Sequence, residues 1–259
     1  MSGSLDGAYA KLGRAQRQAK ALQKEIETAW PPAQPWPVRT EEHREGLEYR
    51  LYLYDLPAVD PEWALVLGEI LFDLRSALDH LAYELHVRHF RGKVPRKVEG
   101  TTLFPIFDTV PDFNSRGRYR IKHLSLRDQR AIRHLQPYVT RDDDLFWTRI
   151  WLARLNAWNN TDKHRHLHLV GTGQNASAVP GYPDEFGFRN TPKWGPVESN
   201  AYIGSWTFVR RPPETKPHVG AFVNVSLHYG AGSIEVNVLT SALYAHVEAV
   251  LERFATRFR

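Results

Sequence analysis

Between Trp63 and Leu85 an apolar residue falls at every third or fourth position: Trp63, Leu67, Ile70, Leu74, Leu78, Leu81 and Leu85. A helical residue turns 100°, so all of these lie on one stripe of a single helix. Asp60 can cap that helix, Pro61 fits its first position, and Gly92 can stop it beyond Phe90. The stripe must be a core face. The polar residues of "LFDLRSALDHLAYELH" (71–86) then divide into two rows. Arg75, Asp79 and His86 form one; Glu69, Asp73, Ser76, His80 and Glu84 form the other. Arg75 with Asp79, and His80 with Glu84, are four apart and close enough to pair.

Around this element the pattern mixes helix and strand. Residues 6–29 are helical in period, and "WPPAQPWPVRT" (30–40) reads as a stiff, proline-rich connection. "GLEYRLYLYDLP" (46–57) alternates as a strand. Residues 102–113 read as irregular or as a short edge strand. Ser125-Leu-Arg-Asp128 is a capping-box pattern that opens a helix to Gln136, closed by Pro137. A further helix is expected at about 143–159. From Lys163 the period shifts to two, which predicts a strand over 165–170. Residues 171–200 read as a loop, and 201–210, 220–228 and 233–239 as strands. Thr240 or Ser241 would cap a last amphipathic helix. The order lacks regular βαβ alternation. It predicts an α+β fold: one domain over 1–259, with a helical, bundle-like core (about 60–160) packed with a mostly antiparallel sheet of four or five strands (sheet and C-terminal helix about 165–259).

Composition narrows the chemistry. The 259 residues include no cysteine, which excludes disulfides, thiolate catalysis and cysteine-ligated zinc. No apolar run approaches the roughly 20 residues that cross a bilayer. The N-terminus lacks the apolar stretch of a secretory signal, so a cytoplasmic protein without a membrane partner is expected. Net charge is +5, with 25 Arg against 9 Lys. Guanidinium groups hold phosphates and stack on rings, so RNA or a nucleotide is a natural partner; GC-rich coding would raise Arg equally. No dinucleotide-binding, P-loop, nucleophile-elbow or zincin motif is present.

Two constellations carry the functional weight. On the long helix, Glu69, Asp73, His80 and Glu84 have the spacing of one wall of a divalent-metal site. The same row also reads as a solvated face laced by local pairs. The second constellation is "NNTDKHRHLHLV" (159–170). On a strand, His164, His166 and His168 would share a face and could hold a metal beside Asp162. Asp162 could instead orient His164 or pair with Arg75 as a structural clamp. "RGRYRIKH" (116–123) alternates Arg116, Arg118, Arg120 and Lys122 with Gly117, Tyr119 and Ile121. That suits a phosphate backbone or a charge-protected edge strand.

"GEILFDLRSALDHLAYEL", "FPIF", "LQPY" and "LNAWNNTDKHR" occur in that order over about 65–170. In these landmarks the chain resembles a widespread group of uncharacterised bacterial proteins. Arg75-x4-His80 also resembles the motif of the HEPN superfamily of prokaryotic helical RNases and nucleotide-binding domains. Ser76 stands where HEPN motifs usually place Asn, Asp or His. The resemblance implies a metal-independent ribonuclease of toxin or defence type, without a cofactor. His80 would be the general acid–base and Arg75 the phosphate anchor, with Asp79 and His164 beside them. Lys163, Arg165, Arg116, Arg118, Arg120 and Lys122 would hold RNA, supported by Asp162 and Asn160. A homodimer completing the site and an antitoxin-type partner belong to the same implication. Two other readings stand: a metal-dependent enzyme on the carboxylate–histidine row, and a non-catalytic binding protein whose charges clamp its core.

Overall fold

In the computed structural model, the structure describes residues 3–32, 35–165, 167–174, 189–192, 196–211, 220–230 and 232–258. The chain divides into two compact units. Met1–Ala21, Leu65–Leu167 and Asn237–Arg259 form a helical unit; Leu22–Ala64 and His168–Val236 form a unit that carries the sheet. The α+β class holds.

Eight helices are assigned among the described residues: α1 (Asp6–Ala29), α2 (Pro61–His89), α3 (Arg96–Glu99), α4 (Val110–Asp112), α5 (Arg118–Ile121), α6 (Leu126–His134), α7 (Phe146–His164) and α8 (Val236–Ala255). The stripe that defines α2 is buried throughout, from Trp63 to Leu85. Leu71, Ala77 and Ala82 are buried as well, so α2 is covered on more sides than one stripe requires. Ser125 caps α6: its hydroxyl accepts from the Asp128 N–H at 3.1 Å and donates to the Asp128 carboxylate at 2.7 Å. Asp128 also accepts from Arg257 at 2.5 Å, joining α6 to the end of the chain just after α8. Thr148 of α7 meets His246 of α8 at 3.1 Å. The last helix therefore belongs with the other helices rather than with the sheet.

The sheet unit holds β1 (Trp36–His43), β2 (Glu48–Leu53), β3 (Leu169–Gln174), β4 (Arg189–Pro192), β5 (Pro196–Val197), β6 (Tyr202–Thr207), β7 (Gly220–Tyr229) and β8 (Gly232–Glu235). Their order is β4-β6-β2-β1-β7-β3-β5, with β8 paired to β7, and every pairing is antiparallel. The sheet is larger than the four or five strands expected. β1 begins inside the stretch read as a proline-rich connection and runs on beyond it. Its Pro37 sits at the start of the strand, where a missing N–H costs little, and Val38 to His43 pair with β2. The hairpin between them turns through Arg44, Glu45 and Gly46, all at positive φ.

Four other expectations are corrected. The strand expected over 165–170 begins only at Leu169, because α7 runs on through Lys163 and His164. The strand expected over 233–239 ends at Glu235, because Val236, Leu239, Leu243, Val247, Val250, Leu251 and Phe254 bury one helical stripe. Thr240 and Ser241 thus lie inside α8 rather than capping it. Residues 116–121 are helical, with a turn at 122 and 123: a π-turn over Phe113–Gly117 runs into α5, so the basic residues do not alternate across an edge strand.

One close approach fixes the packing of α7 on α2. A Cβ placed on Gly68 would stand 2.4 Å from Oδ1 of Asp162, with Cγ and Oδ2 within 2.7 Å. Gly68→Ala gains helix propensity of ~1 kcal/mol. The collision outweighs that gain, and a net loss of ~1–3 kcal/mol is expected. Urea unfolding of Gly68→Ala, Asp162→Ala and the double variant checks this: the double variant should recover most of the loss, and strict additivity would exclude the contact.

Candidate functional site

Residues 104–108 have neither helical nor strand pairing, yet Phe104, Pro105 and Ile106 are buried. Their backbone groups must find partners among side chains. Nη2 of Arg75 donates to the Phe104 carbonyl at 2.5 Å, and Oδ1 of Asp79 accepts the Phe104 N–H at 2.8 Å. Arg75 and Asp79 also pair with each other at 3.1 Å. Gln136, wholly buried, continues the arrangement: Nε2 donates to the Pro105 carbonyl at 2.9 Å, and Oε1 accepts the Phe107 N–H at 3.2 Å. "LRSALD", "FPIF" and "LQPY" are therefore joined in space by hydrogen bonds.

Beside this segment opens a cleft of about 540 Å³ within the helical unit. α2 supplies Arg75 and Asp79, and α7 supplies Asn156, Asn160 and Lys163 at positions i, i+4 and i+7 of one helical face. Arg116 and Arg120 enter from the π-turn and α5, also four apart. Both lie over the Phe107 ring, at 5.3 and 5.4 Å from its centroid. Gly117 lets the turn come this close, since a Cβ there would stand 2.7 Å from Phe113 and 2.9 Å from Phe107. Arg118 and Lys122 are exposed and do not line the cleft; Lys122 lies over the Tyr119 ring at 3.9 Å.

Electrostatically the cleft sets four cations, Arg75, Arg116, Arg120 and Lys163, against three carboxylates, with Asp79 beside Arg75. Asp108 and Asp112 also line it, but Asp112 is committed to Arg116 at 2.6 Å and to the Thr109 hydroxyl at 2.7 Å. Burial lowers the pKa of Arg75 most, opposed by Asp79 and reinforced by Arg120. Burial likewise lowers that of Arg120. Burial pushes the Asp79 carboxyl up, while Arg75, the Phe104 N–H, Arg120 and Lys163 all pull it down. Arg75 is 8% exposed, and its Nη1 meets no acceptor among the described residues. A buried guanidinium with a free N–H is a costly arrangement that an anion would relieve.

The other polar row of α2 faces away from this cleft, against α1. Glu84 accepts the Ser4 N–H at 3.0 Å, His80 lies beside Gly7, Asp73 pairs with Lys11 at 3.1 Å and Arg14 at 3.2 Å, and Glu69 accepts from Gln18 at 2.7 Å. Numbers fall on one helix as they rise on the other, so the row is an antiparallel seam. Glu69, Asp73, His80 and Glu84 therefore do not form a metal-binding wall. Among the described residues no three such side chains are grouped to hold a metal ion. His80 is not brought to Arg75; the two lie on different sides of α2.

At the end of α7 the landmark residues separate. Asn160 and Lys163 line the cleft, while Asp162 lies against Gly68, two turns from Arg75 along α2. His164 and Arg165 are exposed and outside the cleft lining. His164 ends a helix, so no shared strand face with His168 exists; His166 lies outside the described residues. Asn156, Phe107 and Gln136 were not singled out from the sequence. The i, i+4, i+7 spacing of Asn156, Asn160 and Lys163 was the signal for the first. Comparison of the chain with protein-family models, with curated proteins and with solved structures finds no match.

Two outcomes follow for stability. Asp73 is 1% exposed, so Asp73→Asn should lower Tm by loosening α1, whereas EDTA should leave Tm unchanged; a Tm that falls with EDTA would restore a metal at this row. For Asp79, the folded pKa is raised above the ordinary 3.8. Its contribution is therefore fully present below that value and is lost as pH rises through the folded one. Denaturation of wild type and Asp79→Asn across pH should show the wild type losing ground to the variant as pH rises; the opposite trend would mean a depressed pKa.

Proposed function

We propose that the protein is directed at RNA or a nucleotide in the cytoplasm, and that the cleft holds a phosphate group. The observation that carries this reading is the buried Arg75 guanidinium, whose Nη1 lacks an acceptor among the described residues, in the wall of a cleft that also receives Arg120, Arg116 and Lys163. A phosphate oxygen would complete the guanidinium, and the remaining cations would neutralise the rest of the charge. Asn156 and Asn160 add neutral donors for sugar or base edges, and Phe107, already stacked under two guanidiniums, gives an aromatic floor. The likeness of Arg75-x4-His80 to HEPN proteins agrees with a phosphate anchor at Arg75. Cleavage in the manner of that superfamily would need its acid–base group from a second subunit, because His80 of the same chain faces α1. Binding is thus the function this geometry supports, ahead of catalysis.

Calorimetric titration with uridine 5′-monophosphate and with uridine tests the reading. The nucleotide should bind and the nucleoside should not. Lys163→Gln and Arg120→Gln should each weaken binding about tenfold, the worth of one charge-assisted hydrogen bond of ~1.5 kcal/mol, without lowering Tm. Equal binding of uridine, or unchanged affinity in both variants, would overturn it.

A further inference from the structure

A second cleft of about 420 Å³ lies in the same helical unit, lined by Arg130, Arg133 and His134 of α6 and by Tyr138, Arg141 and Asp143 beyond it. Its one carboxylate is spoken for. Asp143 accepts from Arg149 at 2.8 Å, and that contact holds its pKa below the usual range. Arg149 is 2% exposed and also donates to the backbone carbonyls of His134 and Arg141, so it pins the wall of the cleft from beneath. Arg130, Arg133 and Arg141 pair with no carboxylate among the described residues. The Tyr138 hydroxyl is buried beside the Arg133 guanidinium without a hydrogen bond of good geometry. The result is three exposed guanidiniums and a hydroxyl around a hollow whose one carboxylate is already paired with Arg149.

This hollow connects with the first cleft through rings. Phe107 of the first cleft meets Phe113 at 6.3 Å, and Phe113 meets Tyr138 of the second at 5.6 Å. Arg133 lies over Phe113 as Arg116 and Arg120 lie over Phe107. Phe107 and Tyr138 are thus no more than about 12 Å apart, within reach of the ~4 nucleotides that the smallest single-strand sites span. Phe113 is wholly buried, so the rings fix the spacing of the two clefts, and the guanidiniums beside them face the phosphates of a strand.

We infer that the Arg130–Arg133–Tyr138–Arg141 cleft is a second phosphate site, occupied by a phosphodiester of the same single strand whose other phosphate lies in the Arg75–Lys163 cleft. The inference rests on the phosphate reading of the first cleft. The ligand class is then a single-stranded oligonucleotide, and a mononucleotide fills only half of the site.

The test compares uridine 5′-monophosphate with 5′-phosphorylated uridine oligomers of two to eight nucleotides, on the full chain and on Arg133→Gln/Arg141→Gln. These side chains are exposed, and Arg149 holds the backbone carbonyl of Arg141 rather than its guanidinium, so the fold should survive, with Tm as the check. Affinity should rise at least tenfold with oligomer length in the wild type. The double variant should lose that gain, keep wild-type affinity for the monophosphate, and show a salt slope for the oligomer smaller by about 0.7, for the one phosphate no longer held. Monophosphate binding with no gain from length would overturn the second site and leave the first standing. A length gain that survives in the double variant would also overturn it. Absence of monophosphate binding would instead sink the reading of the first cleft. Inorganic phosphate separates the sources: if the wild type binds one more phosphate ion than the double variant does, a free anion and not a strand is the ligand, and the inference fails.

Discussion

The peptide of Phe104 is held at both ends by α2: Arg75 takes its carbonyl and Asp79 its N–H. A buried, unpaired peptide would cost a few kcal/mol, so this contact lets an irregular segment run through the interior of the helical unit. The cost moves to the side chains. Arg75 is buried for this purpose, Asp79 is placed beside it, and both pKa values are displaced mainly by burial. The same structural necessity leaves Nη1 of Arg75, a residue that lines the cleft, without an acceptor among the described residues. The clamp on Phe104 and the wall of the cleft thus share the same two side chains.

α2 separates its two polar rows by use. The row of Arg75 and Asp79 serves the 104–108 segment and the cleft. The row of Glu69, Asp73, His80 and Glu84 serves α1. On a straight helix Arg75 and His80 already stand about 140° apart, so their division follows from helix geometry alone. The spacing that resembles a catalytic pair thus joins residues with different neighbours. The spacing that resembles a metal wall marks where a basic and amide-rich helix is docked through ion pairs and a capped N-terminus.

Much of this was legible in the residues. The leucine stripe gave α2 its limits, Ser125 and Asp128 gave α6 its start, and the alternation of β2 and β7 survives as burial of Leu51 and Leu53 and of Ala221, Val223, Val225 and Leu227. The pairing of Arg75 with Asp79 followed from their spacing. Where the reading missed, a short-range pattern competed with a longer one. Alternating histidines after residue 163 resembled a strand, but the α7 stripe had not finished. Alternating arginines at 116–122 resembled an edge strand, but Gly117 allows a tight helical turn against Phe107 and Phe113. Prolines at 31–37 concealed β1, which takes Pro37 in at its start and pairs on both sides of it, Trp36 with β7 and Val38 onward with β2. Gln136 could not be found from pattern at all, because its partners are backbone groups some thirty residues away.

The helical unit is assembled from three separated stretches of chain, and its last is Asn237–Arg259. During synthesis α1, α2 and α7 emerge first, and most of the sheet strands follow. α8, which supplies His246 to Thr148, and Arg257 just beyond it, which contacts Asp128, leave the ribosome after all of these. The apolar faces that α8 covers stay open until then. Such distant closure raises contact order and slows folding. It also gives the nascent chain a long interval in which its clefts are present in sequence but not yet supported in structure.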